Sequence, residues 1–235
     1  MTGGPSSRLL ASSLMPLPTL DLESAPNPQR CLIILHGLGA DGSDFEPVCQ
    51  MLATALADQG PMRFVLPSAP VMPVSINGGY EMRAWYDIRP VQGPEREDPV
   101  TMRASMHAVH ALIEREVARG IPAERIVLMG FSQGCAMALL SGLRFPQRLG
   151  GIIGLSGYLP WPEATEAERH ASNAQTPVFI GHGDADGVVP TLRGQQAYAV
   201  LQRLGQPVSW HSYPIDHSVC PDEVDDIAAW LRALD

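Results

Sequence analysis

The stretch Gly130-Phe131-Ser132-Gln133-Gly134 lies between an apolar run at residues 126–129 and the small and apolar residues 135–140. The apolar run predicts a buried strand, and the segment after the glycine predicts a helix. Gly-x-Ser-x-Gly between a strand and a helix is typical of a very tight turn, whose flanking positions tolerate almost no side chain. Such a turn lifts the hydroxyl of Ser132 clear of the sheet, so Ser132 is a candidate nucleophile.

Apolar segments typical of buried strands alternate with segments of helical period along the rest of the chain. The predicted strands lie at residues 31–35, 63–66, 125–129, 151–156, 177–180 and 208–213. Ser43 and Glu46 form a capping box that predicts a helix through about Leu56, and further helices are predicted near residues 102–119, 135–140, 191–204 and 221–234. Alternation of this kind predicts an α/β fold with a mostly parallel central sheet and helices on both faces.

The 235 residues suit a single catalytic domain, which we place at residues 18–235 after a flexible N-terminal tail at residues 1–17. Residues 67–100 are rich in proline and glycine and predict a long, lid-like excursion from the core. Residues 157–175 are predicted to be a loop.

Composition excludes several classes of function. The net charge of −9 argues against nucleic acid as a partner, and no basic cluster reverses that conclusion. All 16 basic residues are arginine, which removes a Schiff-base lysine, a Ser-Lys dyad and a Walker A loop. The four cysteines are far apart and predict neither a metal site nor disulfides, so we expect a cytoplasmic protein without metal or cofactor. No apolar run is long enough to insert stably in a membrane.

A serine nucleophile needs a base, and the base needs an acid that orients it. In α/β enzymes of this kind the acid and then the base follow the serine in the chain. His211 lies in the middle of a predicted strand, whereas His217 follows that strand and precedes the last helix, so we favour His217. The remaining histidines are interpreted as structural or surface groups: His36, His107, His110, His170 and His182.

Two carboxylates follow the strand at residues 177–180. Asp184 can shape the turn, and Asp186 extends further toward the His217 loop; spacing favours Asp186 only modestly. Asp216 is interpreted as facing solvent. The transition state also needs N–H donors for its oxyanion, and the residue after the nucleophile, Gln133, supplies one. The glycine-rich loop after the first strand supplies another, the N–H of Leu38.

Five stretches, in this order, resemble the carboxylesterase and acyl-protein thioesterase family of α/β-hydrolases, also called the phospholipase/carboxylesterase family. They are residues 36–41, 82–88, 130–134, 182–190 and 213–218. The resemblance implies Ser132 as nucleophile, Asp186 as acid, His217 as base, and the N–H groups of Leu38 and Gln133 as oxyanion donors. It also implies that Trp85 lies near the acyl-binding pocket. Trp85 can also anchor the excursion to the core, and the two roles are compatible. A homodimer is implied as well.

Together these features predict a cofactor-independent serine carboxylesterase acting on small-molecule esters of short to medium acyl chain. The alternative keeps the chemistry and changes the substrate, to an acylated protein or a lysophospholipid. A non-catalytic ligand-binding protein of the same fold is a third interpretation. It is disfavoured because such proteins usually lose one of the three reacting groups.

Overall fold

The computed structural model describes residues 16–93 and 96–234. Its strands are β1 (Thr19–Glu23), β2 (Arg30–Leu35), β3 (Met62–Pro67), β4 (Val71–Val74), β5 (Tyr80–Arg83), β6 (Ile126–Phe131), β7 (Gly151–Leu155), β8 (Val178–Gly183) and β9 (Val208–Tyr213). Its α-helices are α1 (Glu46–Ala55), α2 (Pro99–Ala118), α3 (Gln133–Arg144), α4 (Pro162–Glu168), α5 (Thr191–Arg203) and α6 (Pro221–Arg232).

Seven strands form one sheet in the order β1-β3-β2-β6-β7-β8-β9. Every neighbouring pair is parallel except β1 with β3, which is antiparallel. Because parallel strands all end at one edge, the loops after β2, β6, β8 and β9 share that edge of the sheet. The predicted mostly parallel sheet is therefore confirmed.

Two apolar cores lie on opposite faces of the sheet, which confirms the predicted layers. One core packs residues of α2, α3 and α5 against the strands and includes Trp85 and Tyr86. The other packs α1 and α6 against the opposite face, with Phe179 and Leu155 among its strand residues. The strands of the sheet centre are buried on both faces, as their continuous apolar sequences indicate.

The edge strand β1 was not predicted from the sequence. It is held to β3 by backbone pairing and by Arg63 of β3, whose guanidinium lies between three carboxylates, two from β1 and one from α2. Arg63 contacts Asp21 at 2.6 Å, Glu23 at 3.0 Å and the fully buried Glu116 of α2 at 2.6 Å. These partners are distant along the chain, so no local pattern reveals them.

The predicted excursion at residues 67–100 is only partly outside the core. Strands β4 and β5 form a separate antiparallel hairpin, whereas Trp85 and Tyr86 directly after it are completely buried. The segment thus leaves the sheet at Pro67 and returns with two large aromatic side chains that fill the main core.

Three local predictions differ from the structure. Residues 157–175 contain helix α4, so they are not one loop. The first turn near residue 43 is capped by the Asp41 carboxylate, which accepts from the Ser43 N–H, and α1 begins only at Glu46. Of the predicted tail, residues 1–15 lie outside the described residues, and Leu17 packs against the core.

Glu223 in the first turn of α6 makes stability depend on pH. Burial, followed by the charge of Asp226, raises the pKa of Glu223 from 4.5 to about 8. The folded chain keeps a proton that the unfolded chain releases, so this contribution is complete below pH 4.5 and is lost as the pH rises to about 8.

Glu223→Gln is therefore expected to flatten this decline and to raise the free energy of unfolding at alkaline pH. Each pKa unit corresponds to about 1.4 kcal/mol, so the gain should amount to several kcal/mol in urea titrations. The exposed Glu166→Gln serves as the matched control. Parallel pH profiles for wild type and Glu223→Gln would show that the carboxyl is not protonated in the folded state.

Candidate active site

The turn between β6 and α3 has the tight geometry that its glycines indicate. A Cβ atom on Gly130 would lie 2.0 Å from the carbonyl oxygen of Gly134, and one on Gly134 would lie 2.0 Å from that of Leu35. Ser132 has φ 56° and ψ −116°, a conformation that L-residues rarely adopt. The backbone is therefore strained at the one residue whose hydroxyl the turn presents.

Ser132, His217 and Asp186 form a continuous chain of hydrogen bonds. The Ser132 hydroxyl lies 2.9 Å from Nε2 of His217, and Nδ1 of His217 lies 2.7 Å from Oδ2 of Asp186. The carboxylate accepts from Nδ1–H, which leaves the unprotonated Nε2 facing the hydroxyl. The ring of His217 also packs on Phe131, with the centroids 4.8 Å apart. The structure thus brings the three residues together from the ends of β6, β8 and β9.

Asp186 is fixed by donors from its own loop. Its Oδ1 accepts from the N–H groups of Val188 at 2.9 Å and Val189 at 2.8 Å. Burial would raise the pKa of the Asp186 carboxyl, but the hydrogen bonds from His217 and from these two N–H groups outweigh it and hold the pKa below its ordinary value. Asp186 is therefore a carboxylate near neutral pH.

His182 supports Asp186 from behind, a contact that sequence reasoning missed. It is completely buried, and its Nε2 lies 2.9 Å from the carbonyl oxygen of Val189 and 3.3 Å from Oδ2 of Asp186. Both neighbours are acceptors, so the proton resides on Nε2. His182 lies at the end of β8 and Asp186 lies in the loop that follows, four residues later. This short spacing is the feature of the sequence that could have predicted the contact.

The loop after β2 is held in place by His36. Burial lowers the pKa of His36, and its Nε2 accepts from the Ala69 N–H at 3.0 Å while Nδ1 donates to the Gly37 carbonyl at 2.7 Å. The Gly39 N–H donates to the Arg83 carbonyl at 2.9 Å. These bonds fix the segment that carries Leu38 beside the serine, and they give His36 the structural place that the sequence indicated.

Gln133 has a second contact set that the sequence did not predict. Gln133 is the first residue of α3, so its backbone N–H has no acceptor within the helix. Its side-chain Oε1 accepts from the Trp85 N–H at 2.8 Å, and its Nε2 donates to the Tyr86 carbonyl at 2.8 Å. The side chain therefore fastens the returning end of the excursion to the nucleophile turn.

Trp85 lies behind the site rather than on its surface. It is fully buried, packs on the His36 ring and donates from Nε1 to the His36 carbonyl at 2.9 Å. The cavity beside the serine is lined by its neighbour Tyr86. This geometry favours the core-anchor interpretation of Trp85 over a direct contact with substrate.

A cavity of about 430 Å³ opens beside the Ser132 hydroxyl. Leu38, Gln133 and His217 line it together with mainly apolar side chains. The charged lining residues in the part of the chain that the structure describes are Asp44, Arg96 and Arg193. A volume of this size suits a small-molecule group such as an acyl chain.

The other candidate groups lie away from this chain of hydrogen bonds. Asp184 is exposed, and Asp216 is exposed with its carboxylate accepting from the Ser218 hydroxyl at 2.7 Å. His211 stacks on Phe179, with the ring centroids 4.2 Å apart. Among the described residues, no group of three or more His, Cys, Asp or Glu side chains has the arrangement of a metal site.

Comparison with known proteins identifies the family of this chain. The model of the phospholipase/carboxylesterase family matches residues 22–235. The chain belongs to the phospholipase/carboxylesterase family. As a member of this family of α/β-hydrolases it is a serine hydrolase, which confirms the enzyme class and the fold expected from the sequence.

Individual members of the family carry two kinds of name. Acyl-protein thioesterase 1 of Gibberella zeae is 39% identical over 209 residues, which cover 86% of this chain and 88% of the relative. A probable carboxylesterase of Oryza sativa subsp. japonica is 34% identical over an alignment that covers 95% of this chain and 84% of the relative. The crystal structure of Zea mays acyl-protein thioesterase 2 superposes with a TM-score of 0.79 at 29% sequence identity. The superposition covers 92% of this chain and 98% of the maize chain.

No helix in the described ranges of this phospholipase/carboxylesterase family member is both long and apolar enough to cross a bilayer. The homodimer and the cytoplasmic location remain predictions.

Proposed function

We propose that the enzyme hydrolyses acyl thioesters, with S-acylated proteins as its substrate class, through an acyl-enzyme on Ser132. The observation that carries the proposal is the chain of hydrogen bonds from Ser132 through His217 to Asp186 at the mouth of an acyl-sized cavity. The thioesterase names of relatives such as the Gibberella zeae protein favour this substrate over the small ester that the sequence predicted first.

In the proposed reaction, Ser132, His217 and Asp186 act in acylation and again in deacylation. The Ser132 oxygen attacks the acyl carbon while its proton passes to Nε2 of His217, whose positive charge the Asp186 carboxylate stabilises. We assign the N–H groups of Leu38 and Gln133, which both line the cavity beside Ser132, to stabilising the oxyanion. Collapse breaks the carbon–sulfur bond, and the proton on His217 leaves with the thiol. Water then attacks the acyl-enzyme by the same route and releases the carboxylic acid.

The test compares one peptide acylated on a cysteine sulfur with the same peptide acylated on a serine oxygen. We expect kcat/KM to be higher for the S-acyl peptide, because a thiol leaves more readily than an alcohol. The name of the Gibberella zeae relative, acyl-protein thioesterase 1, favours the same outcome. Release of the free peptide is followed by mass spectrometry, and Ser132→Ala provides the blank. Turnover of small chromogenic esters with no release from the S-acyl peptide would return the assignment to a carboxylesterase.

A further inference from the structure

A second cavity, of about 810 Å³, lies next to the catalytic one. Among the described residues, four line both cavities: Arg96, Tyr158, Pro190 and Arg193. Tyr86 belongs to the lining of the catalytic cavity and Glu97 to that of the second. The wall that separates the two spaces is therefore thin and built around Tyr158 and Arg193. We call these two residues the partition.

The partition is held by polar contacts on both sides. The Arg193 guanidinium carbon lies 3.4 Å from the centre of the Tyr158 ring, a cation–π arrangement. On one side the Tyr158 hydroxyl bonds the Tyr86 hydroxyl at 2.7 Å. On the other side Arg193 contacts a Glu97 carboxylate oxygen at 3.4 Å. An apolar chain that reaches this wall therefore meets a guanidinium and two phenols.

The two halves of the partition are not equally fixed. Tyr158 is buried and sits in the loop after β7, whereas the side chain of Arg193 is 32% exposed and rises from the first turn of α5. Its ion pair with Glu97, the one it forms among the described residues, is long at 3.4 Å. Arg193 is thus the part whose removal opens the wall while Tyr158 stays in place.

We infer that Arg193 is a specificity-determining residue that limits how far an acyl chain extends from Ser132. Beyond the partition the second cavity offers apolar side chains, including Leu159, Trp161 and Val200. A chain that passes the wall gains this apolar surface but must first displace or desolvate the guanidinium, which is costly. The inference rests on the proposed function in one respect, that an acyl chain occupies the catalytic cavity.

The test is a series of straight-chain acyl thioesters and matched nitrophenyl esters of increasing length. In the wild type, kcat/KM is expected to rise by about fourfold for each added methylene while the chain fills the catalytic cavity. Above a certain acyl length, where the acyl chain meets the partition, kcat/KM should stop rising. We call this length the levelling point. In Arg193→Ala the rise should continue to longer chains. Arg193→Met, which keeps length without charge, should shift the levelling point in the same direction.

Arg203→Ala is the matched control, because Arg203 lines the second cavity and not the catalytic one. Its levelling point should equal that of the wild type, and thermal melting should show that all variants are folded. The same levelling point in all four proteins would overturn the inference. If the wild type cleaves only the oxygen esters, the proposed thioesterase function fails, and the ester series alone still decides the role of Arg193.

Discussion

Replacing Ser132 with alanine is expected to lower kcat by about a millionfold, the scale measured when a serine nucleophile is removed from a comparable triad. The reason is geometric. Only the Ser132 hydroxyl lies within hydrogen-bond distance of the unprotonated nitrogen of His217 among the residues that the structure describes. Steady-state assays with a chromogenic ester, and endpoint assays over long incubations for the slow variant, would measure the loss in kcat.

Ser172→Ala is the matched control for that experiment. Ser172 lies before β8, near the opposite edge of the sheet from the candidate site. Its replacement should leave kcat and KM close to the wild-type values. A Ser132→Ala protein that is folded and still turns over ester at the wild-type rate would remove Ser132 from the mechanism.

Asp186→Asn is expected to lower kcat by about ten-thousandfold, as the corresponding change does in other serine triads. The amide donates where the carboxylate accepts, so Nδ1 of His217 loses its proton and Nε2 gains one. The nitrogen that faces Ser132 then cannot accept the hydroxyl proton. The loss should appear in kcat more than in KM, because the acid does not line the cavity.

Asp184→Asn separates this effect from a general loss of charge in the loop. Asp184 lies two residues earlier and is exposed, and its backbone N–H donates to the Tyr213 carbonyl in either variant. Its kcat should stay near that of the wild type. A large loss in Asp184→Asn together with a small loss in Asp186→Asn would reverse the choice between the two carboxylates.

The strand-turn-helix around Ser132 was predictable because its cause is local. Two glycines are required within five residues, and the carbonyl contacts that a Cβ would make at Gly130 and Gly134 show the steric reason. The order of the parallel strands and of five of the described α-helices followed from apolar periodicity for the same reason. Motif likeness then supplied His217 and Asp186, which spacing alone had favoured without excluding Asp184 or His211.

Several of the features that were missed depend on contacts between distant segments. Strand β1 is stabilised by Arg63, whose partners lie 40 to 53 residues away along the chain. The Gln133 side chain joins α3 to a segment 47 or 48 residues earlier. The contacts of Tyr158 with Tyr86 and Arg193 join three segments that are far apart in sequence: the segment after β5, the loop after β7 and helix α5. No local pattern in the sequence encodes such meetings.

The most direct test of the central claim is to label the purified protein with a serine-reactive fluorophosphonate and to map the adduct by peptide mass spectrometry. The hydrogen bonds at Ser132 predict one adduct per chain, on Ser132, and none in Ser132→Ala. An adduct on a different residue, or undiminished labelling of Ser132→Ala, would contradict the assignment.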